Sequence, residues 1–425
     1  MKRLVPVRSP IRLFWHRLRA FVAALLFGFP ARRLTIIGIT GTDGKTTTVS
    51  MAAHILTMNE VKCGALSTAF LRIDGEVIWN ATQKTSPSPF LTQKFLRRLV
   101  RSGCTHAVLE YSSHGLVQGR GDWTWPAVAA LTNTSREHLD YHGTMEQYRQ
   151  DKAKLFTMLR YSGTKVLNCD DETFASYRSL PRGKTLSYGL SSPNSQEDAL
   201  WTSDIVEALF ASKTQVYHRC GTKEQTAPLS LMIPGVFNIQ NALCAIGCAL
   251  ACNVSLDAAV DALGSFRGVP GRMERIESIK PFSVFVDFTV TPVSYEKTLQ
   301  TLRSTLPPGN RLLVLTGSCG DRMREKREEV GRIVSRFADV AVVSNEDPYG
   351  EDPLKIIDEV WAGMDKTKAT YKIPDRLEAI RFLFAHAKPG DVVVLCGKGS
   401  DTTMMTHGGQ IPWNEREIAR DLLRA

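Results

Sequence analysis

The residues of this sequence best spaced for chemistry act on a phosphate group. Gly41-Thr42-Asp43-Gly44-Lys45-Thr46-Thr47 puts two glycines, a lysine and several hydroxyls into one short turn. Glycines at 41 and 44 let the backbone curl so that successive N–H groups converge on an anion, and Lys45 adds a point charge suited to the β- and γ-phosphates of a nucleotide. Thr46 then stands where a hydroxyl holds Mg²⁺. The strict phosphate-loop spacing asks for glycine at position 39, where this chain has Ile39. ATP binding is therefore argued from the strand before the turn and the helix after it. Farther along, Glu110, His138 and Lys152 supply a carboxylate, an imidazole and an amine at or just beyond the ends of apolar runs. A carboxylate closing an apolar run is costly when unpaired and natural as a Mg²⁺ ligand. Singly, each of the three also reads as a hydrogen-bonded loop residue; beside a phosphate loop they read together as a metal shell.

The elements that must position these groups are legible as alternating strands and helices. Leu34 to Ile39 is an apolar, β-branched run that predicts a buried parallel strand, and Val49, Ala52, Ala53, Ile55 and Leu56 recur at helical spacing after it. Further strands are predicted at Thr105–Tyr111, Ala127–Asn133 and Lys165–Cys169, with a helix over Leu91–Arg101. This alternation implies a parallel α/β sheet whose C-terminal strand ends share an edge with the phosphate loop. Shorter alternating runs between Ala199 and Gly235 predict antiparallel strands, and Phe237–Asn253 a helix of small residues. Gly268-Val269-Pro270-Gly271-Arg272 is rich in breakers and marks a linker. Beyond it, strands at Phe282–Phe288, Arg311–Gly317, Ala338–Asn345 and Asp391–Gly397 predict a second, Rossmann-like domain. The expected organisation is a basic segment over 1–33, an ATP-binding domain over 34–270 and a C-terminal domain over 271–425.

With 43% hydrophobic and 23% charged residues, the chain has the composition of a globular protein. Its net charge of +10 is concentrated at one end, because residues 1–33 hold eight basic residues and no acidic one. The remaining 392 residues carry 45 basic and 43 acidic side chains, which excludes a nucleic-acid footprint over the body. Nine cysteines without a CxxC pair argue against a disulfide framework or zinc ribbon and fit a reducing cytoplasm. Cys244, Cys248 and Cys252 recur at i, i+4 and i+8, a spacing that fits core packing better than a metal face. In the basic segment, Ile11, Phe14, Trp15, Leu18, Phe21, Val22, Leu25, Leu26 and Phe29 recur on one helical face. The apolar run Phe21–Phe29 is too short to span a bilayer. An interfacial anchor at the inner face of the membrane, a helix docked on the first domain and a cleaved presequence all fit that pattern.

Several ordered segments carry a resemblance. The phosphate loop, Glu110-Tyr111-Ser112-Ser113-His114-Gly115-Leu116-Val117-Gln118-Gly119-Arg120, the run Thr132–Gly143 and Lys152-Ala153-Lys154-Leu155-Phe156 resemble the Mur ligases, and among these the MurE type. The similarity continues through Gly235–Asn241, Gly271-Arg272-Met273-Glu274, Gly320-Asp321-Arg322, Asp375–Ile380 and Gly397-Lys398-Gly399. It implies a phosphate-loop central domain with a parallel sheet, a Rossmann-like C-terminal domain, and an ATP- and Mg²⁺-dependent amide ligase. In such enzymes a peptide carboxylate attacks the γ-phosphate to give an acyl phosphate, which the amine of an incoming amino acid displaces. By the same resemblance Thr46, Glu110, His138 and Lys152 hold metal, Lys152 as a carbamate, because a bare ammonium would repel the ions. Gly41, Thr42, Gly44, Lys45, Thr46 and Thr47 cradle phosphates, Asn238 and Asn241 lie near adenine, and Arg272 and Asp287 contact nucleotide. Thr85, Ser86, Ser112, Gln118 and Arg120 match positions that hold a UDP-muramoyl-peptide acceptor, and Arg322 suits the α-carboxylate of the free amino acid. A monomer is expected.

Three features depart from the family. Its separate uridine-nucleotide domain has no counterpart in these 425 residues. Where diaminopimelate-adding enzymes carry a motif ending in Arg, this chain has Glu346-Asp347-Pro348-Tyr349, and Tyr349 cannot make a bidentate ion pair with a distal carboxylate. Glu346, Asp347, Glu351 and Asp352, with Asp401 beyond Gly397, predict an acidic pocket suited to the distal ammonium of lysine or ornithine, although Glu351-Asp352-Pro353 also reads as a helix start. Val290 stands where the family usually has His. The alternatives are a related ligase acting on folate, polyglutamate or another wall polymer, and a weakened ATP-binding scaffold at the membrane.

Overall fold

The computed structural model describes residues 8–73, 75–80, 84–192, 197–321 and 323–424. They divide into two compact units, one of residues 1–206, 213–231 and 237–266, the other of 207–212, 232–236 and 267–425.

The first unit is built on strands β1 (Thr35–Thr40), β2 (Cys63–Leu66), β3 (Phe70–Ile73), β4 (Glu76–Trp79), β5 (His106–Tyr111), β6 (Val128–Leu131), β7 (Thr164–Asn168), β8 (Lys184–Tyr188), β9 (Ala199–Ala208), β10 (Ala211–Cys220) and β11 (Lys223–Leu231). They form one sheet in the order β11-β10-β9-β8-β7-β6-β1-β5-β2-β3-β4. Pairing is parallel from β9 to β2 and antiparallel among β2, β3 and β4. The expected strands thus stand where the apolar runs put them. Register carries the chemistry: Ile39 lies opposite Glu110 on one side and Ala130 on the other. The turn after β1, the end of β5 and the loop after β6 therefore meet on one edge.

Among the described residues, nine α-helices cover this sheet: α1 (Pro10–Leu26), α2 (Lys45–Met58), α3 (Pro89–Arg101), α4 (Ser113–Val117), α5 (Leu139–His142), α6 (Met145–Thr157), α7 (Phe174–Arg178), α8 (Val236–Leu250) and α9 (Leu256–Gly264). Ile36, Leu109 and Leu131 of the strands pack with Leu155 and Phe156 of α6 in one core. Cys244 and Cys248 of α8 are fully buried, as core packing requires. Helix α1 begins at an N-cap, Ser9, whose hydroxyl accepts from the Arg12 N–H. It docks against α3 and buries Ala20, Ala23 and Ala24.

The second unit holds β12 (Glu274–Ile276), β13 (Ser283–Asp287), β14 (Leu312–Thr316), β15 (Val340–Val343), β16 (Ala369–Lys372) and β17 (Val392–Cys396), in the order β12-β13-β17-β14-β15-β16. All but β12 run parallel. Helices α10 (Pro292–Thr305), α11 (Glu325–Phe337), α12 (Pro353–Ala362), α13 (Arg376–His386) and α14 (Glu415–Arg424) cover it, and β18 (Thr403–Thr406) pairs with β19 (Gly409–Pro412). Val284, Leu313, Leu315 and Val393 pack with Ile380 and Leu383 in its core.

Candidate active site

The phosphate loop follows β1 and ends at Gly44, which caps α2 with φ +79°. A Cβ at Gly44 would fall 2.1 Å from Asn241 Oδ1, so glycine is needed there for space as well as backbone angle. Asn241 also lies 3.4 Å from Thr48 Oγ1 and 3.3 Å from Asn238, which brings this pair of α8 up to the loop. The loop is pinned from the β6 side. Thr42 N–H donates to the Asn133 carbonyl, Asp43 N–H to Asn133 Oδ1, and the Thr42 hydroxyl meets Tyr148 OH at 2.9 Å. Lys45 Nζ donates to the Thr42 carbonyl at 2.6 Å.

Glu110, at the end of β5, accepts from Thr46 Oγ1 at 3.0 Å, from Thr68 N–H at 2.7 Å and from Thr68 Oγ1 at 3.0 Å. Thr46 and Glu110 together offer hard oxygen donors beside the loop, the donor type that Mg²⁺ takes. Lys152 of α6 is buried, and its Nζ donates to the Gly41 carbonyl at 2.5 Å. Burial first, and then the Lys45 charge, hold its amine well below the ordinary lysine range, while Asp43 and Asp171 pull the other way. A neutral amine, unlike an ammonium, is the form that reacts with CO₂. His138 keeps different company: it caps α5 at φ +56°, and its ring meets His114 edge-on with centroids 4.7 Å apart.

The acceptor residues come together in the same unit. Thr68 Oγ1 reaches Thr85 Oγ1 at 2.9 Å as well as Glu110, so one hydroxyl hydrogen faces two acceptors. Ser86 Oγ accepts from Ser112 N–H at 2.9 Å, and Arg120 donates to the Ser86 carbonyl and twice to Gln118 Oε1. Thr68, Asn133 and Tyr148 are absent from the set singled out by local spacing, because each acts on a partner far away in the chain. Ser113, His142 and Asp151 also form a chain of hydrogen bonds, 3.0 and 2.7 Å long, in the order of a hydrolase triad. Ser113 is buried, however, and Asp151 is shared with Arg8 and Lys154, so the chain acts as a brace between α4 and α6.

In the second unit, Gly397 (φ +111°) leaves room for Glu346, whose Oε2 would lie 2.5 Å from a Cβ there. Glu346 is buried, accepts from the Cys319 thiol at 3.0 Å, and forms no ion pair among the described residues. Burial pushes its carboxyl above the usual range and Asp347 adds to this, against Arg376 and Lys398. Asp347 and Asp401 share Lys398, at 2.7 and 3.3 Å. Two of the expected pocket acids are committed elsewhere: Glu351 is ion-paired to Arg327 at 2.9 Å, and Asp352 caps α12 by accepting from Leu354 N–H. Tyr349 sits at φ +50°. Asp287 accepts from Met273 N–H at 2.8 Å and from Thr298 Oγ1 at 3.1 Å, and Arg272 lies over the Phe288 ring at 4.2 Å. Lys326 Nζ donates to the Val290 carbonyl at 2.9 Å. Arg322 lies outside the described residues.

Residues 39–249 match the Mur ligase middle domain, and residues 271–399 match the Mur ligase glutamate ligase domain. The chain belongs to the Mur ligase family. This Mur ligase is 36% identical over 423 residues to a UDP-N-acetylmuramyl-tripeptide synthetase of Roseiflexus sp. (strain RS-1), covering 95% of this chain and 81% of the relative. It is equally 36% identical, over 409 residues, to a UDP-N-acetylmuramoyl-L-alanyl-D-glutamate–2,6-diaminopimelate ligase of Nostoc sp. (strain PCC 7120 / SAG 25.82 / UTEX 2576), covering 95% of this chain and 80% of the relative. A solved structure of a ligase of the latter kind superposes with a TM-score of 0.64 at 28% identity, covering 98% of this chain and 82% of the other. The folylpolyglutamate synthase of Mycobacterium tuberculosis, at 19% identity, shares the fold with a TM-score of 0.73 over 90% of this chain and 93% of its own. The Mur ligase is an ATP-dependent amide ligase of a family that uses ATP and Mg²⁺.

Proposed function

We infer that this ligase adds a diamino acid with a distal ammonium, such as L-lysine, to a UDP-N-acetylmuramoyl-dipeptide-like acceptor during peptidoglycan precursor synthesis. The observation that carries the choice of amino acid is Glu346, a buried carboxylate with no ion pair among the described residues, at the start of a four-residue segment that ends in Tyr349 rather than Arg. The acceptor assignment rests on Ser86, Ser112, Gln118 and Arg120, which are joined by hydrogen bonds, and on Thr85, which meets Thr68 beside Glu110. In this reading Lys45 spreads the charge of the transferring phosphoryl group, Mg²⁺ would add charge stabilisation there when bound, and the acyl phosphate is opened by the incoming amine. Thr46, Glu110, His138 and Lys152, the last as its carbamate, are the residues that would hold the metal. Asn238, Asn241, Arg272 and Asp287 serve the nucleotide, and the enzyme works in the cytoplasm.

The test is phosphate release from ATP with UDP-muramoyl-dipeptide and each of lysine, ornithine, diaminopimelate, alanine and glutamate. Release that needs both acceptor and lysine or ornithine is the expected outcome. Release only with diaminopimelate overturns the amino-acid assignment, and release with none of them despite ATP binding overturns the acceptor.

A further inference from the structure

Helix α1 turns its apolar face away from the protein. Ile11 and Leu26 are each 69% exposed, Phe14 64% and Trp15 59%, and Leu18, Phe21, Val22 and Leu25 are exposed with them. The buried face is lined instead by Ala20, Ala23 and Ala24. At 100° per residue the eight large apolar side chains cover an arc of about 140°, opposite the alanines. Arg12 and Arg19 fall along one edge of that arc and Arg17 along the other. Arg17, Arg19, Arg32 and Arg33 are all exposed, and residues 1–33 contain no acidic side chain.

An amphipathic helix whose apolar side is the solvent side, rimmed by arginines and bearing Trp and Phe, has the geometry of an interfacial segment lying flat on a bilayer. The aliphatic and aromatic groups enter the headgroup boundary while the arginine stems reach up to phosphates. No helix among the described residues is long and apolar enough to cross a membrane. We propose that the exposed face of α1, Ile11-Phe14-Trp15-Leu18-Val22-Leu25, is a docking surface for an anionic phospholipid bilayer, holding the ligase on the membrane by its alanine-anchored helix. Charge selects this occupant: a uniformly basic rim complements an anionic lipid surface, where each basic residue adds to the attraction. The inference goes beyond the ligase reading and does not depend on which amino acid is joined.

The experiment is flotation of the full chain with vesicles of phosphatidylcholine alone or doped with phosphatidylglycerol, at low and high salt, without substrates. The ligase is expected to float with the anionic vesicles, to leave them as salt rises, and to ignore the neutral ones. Phe14→Glu with Trp15→Glu abolishes flotation, and Arg12→Gln with Arg19→Gln weakens it roughly tenfold. Both pairs keep the ATP affinity of the parent, which shows that they are folded. Absence of flotation with anionic vesicles overturns the proposal, as does equal binding to neutral ones. Sedimentation of the same samples identifies the other occupant: a dimer that dissociates in the Phe14/Trp15 variant, with no vesicle binding, assigns the face to a second copy.

Discussion

Lys152 Nζ donates to the carbonyl of Gly41 at 2.5 Å, so the lysine of α6 grips the backbone of the phosphate loop itself. Its amine is buried and depressed in pKa, and the unfolded chain therefore binds more protons than the folded one as pH rises toward the ordinary lysine value of 10.5. This group makes folding stability increase with pH across that window. In bicarbonate-free buffer, the melting temperature of the parent should gain on that of Lys152→Met as pH is raised from neutrality. Parallel curves would show that Lys152 is charged in both states. Ligase activity should fall at least about a hundredfold in Lys152→Ala, and CO₂-depleted parent enzyme should recover on adding bicarbonate.

Removing the loop cation tests the phosphate site directly. Lys45→Met is expected to lower kcat/KM for ATP by about two to three orders of magnitude, the usual cost of losing one group that faces developing charge. Gly44→Ala should abolish nucleotide binding for a different reason, since its φ of +79° and the 2.1 Å approach of Asn241 leave no place for a methyl. Fluorescent-nucleotide titration separates these two outcomes: Lys45→Met retains measurable binding.

Much of this geometry was legible in the residues. The apolar runs at Leu34–Ile39 and Thr105–Tyr111 announced β1 and β5, and their parallel register sufficed to bring Glu110 to the loop. What local spacing cannot carry is the identity of distant partners. Thr68 reads as an ordinary turn residue until β2 and β5 pair, and Arg327, on a helix of the second unit, claims Glu351 from what looked like an open acidic pocket. The direction of α1 was equally hidden. Periodicity marks an apolar face, yet small residues on the other side pack closer against α3, and those were the ones buried.

The amino-acid site makes a prediction about selectivity. Glu346→Gln should lower kcat/KM for lysine by about ten- to a hundredfold, the range for losing a charged hydrogen-bond partner, with little change in ATP affinity. Tyr349→Arg should shift preference toward diaminopimelate. Phosphate release with the two amino acids in competition measures both, and an unchanged preference in either variant would remove these residues from the recognition set.

Stability of the second unit should hinge on one buried pair. Arg376 and Glu415 are both fully enclosed and meet at 2.5 and 2.8 Å, and Arg376 also donates to the Cys396 carbonyl. Breaking such a pair strands the remaining charge at a cost of about 3–5 kcal/mol. Glu415→Ala should accordingly shift urea unfolding of the second unit to lower denaturant, while Glu417→Ala, an exposed neighbour, should leave it unmoved.

The hydroxyl of Thr68 has a single hydrogen and stands within reach of both Thr85 and Glu110. A ligand that occupies Thr85 frees that hydrogen for the carboxylate, and a cation that occupies Glu110 releases it toward Thr85. Each event alters the other's affinity by the same factor, as thermodynamic reciprocity demands. With the metal at Glu110 and the acceptor at Thr85, as proposed, the two loadings would be coupled through that one hydrogen, and the order in which they are measured would not change the product of their affinities.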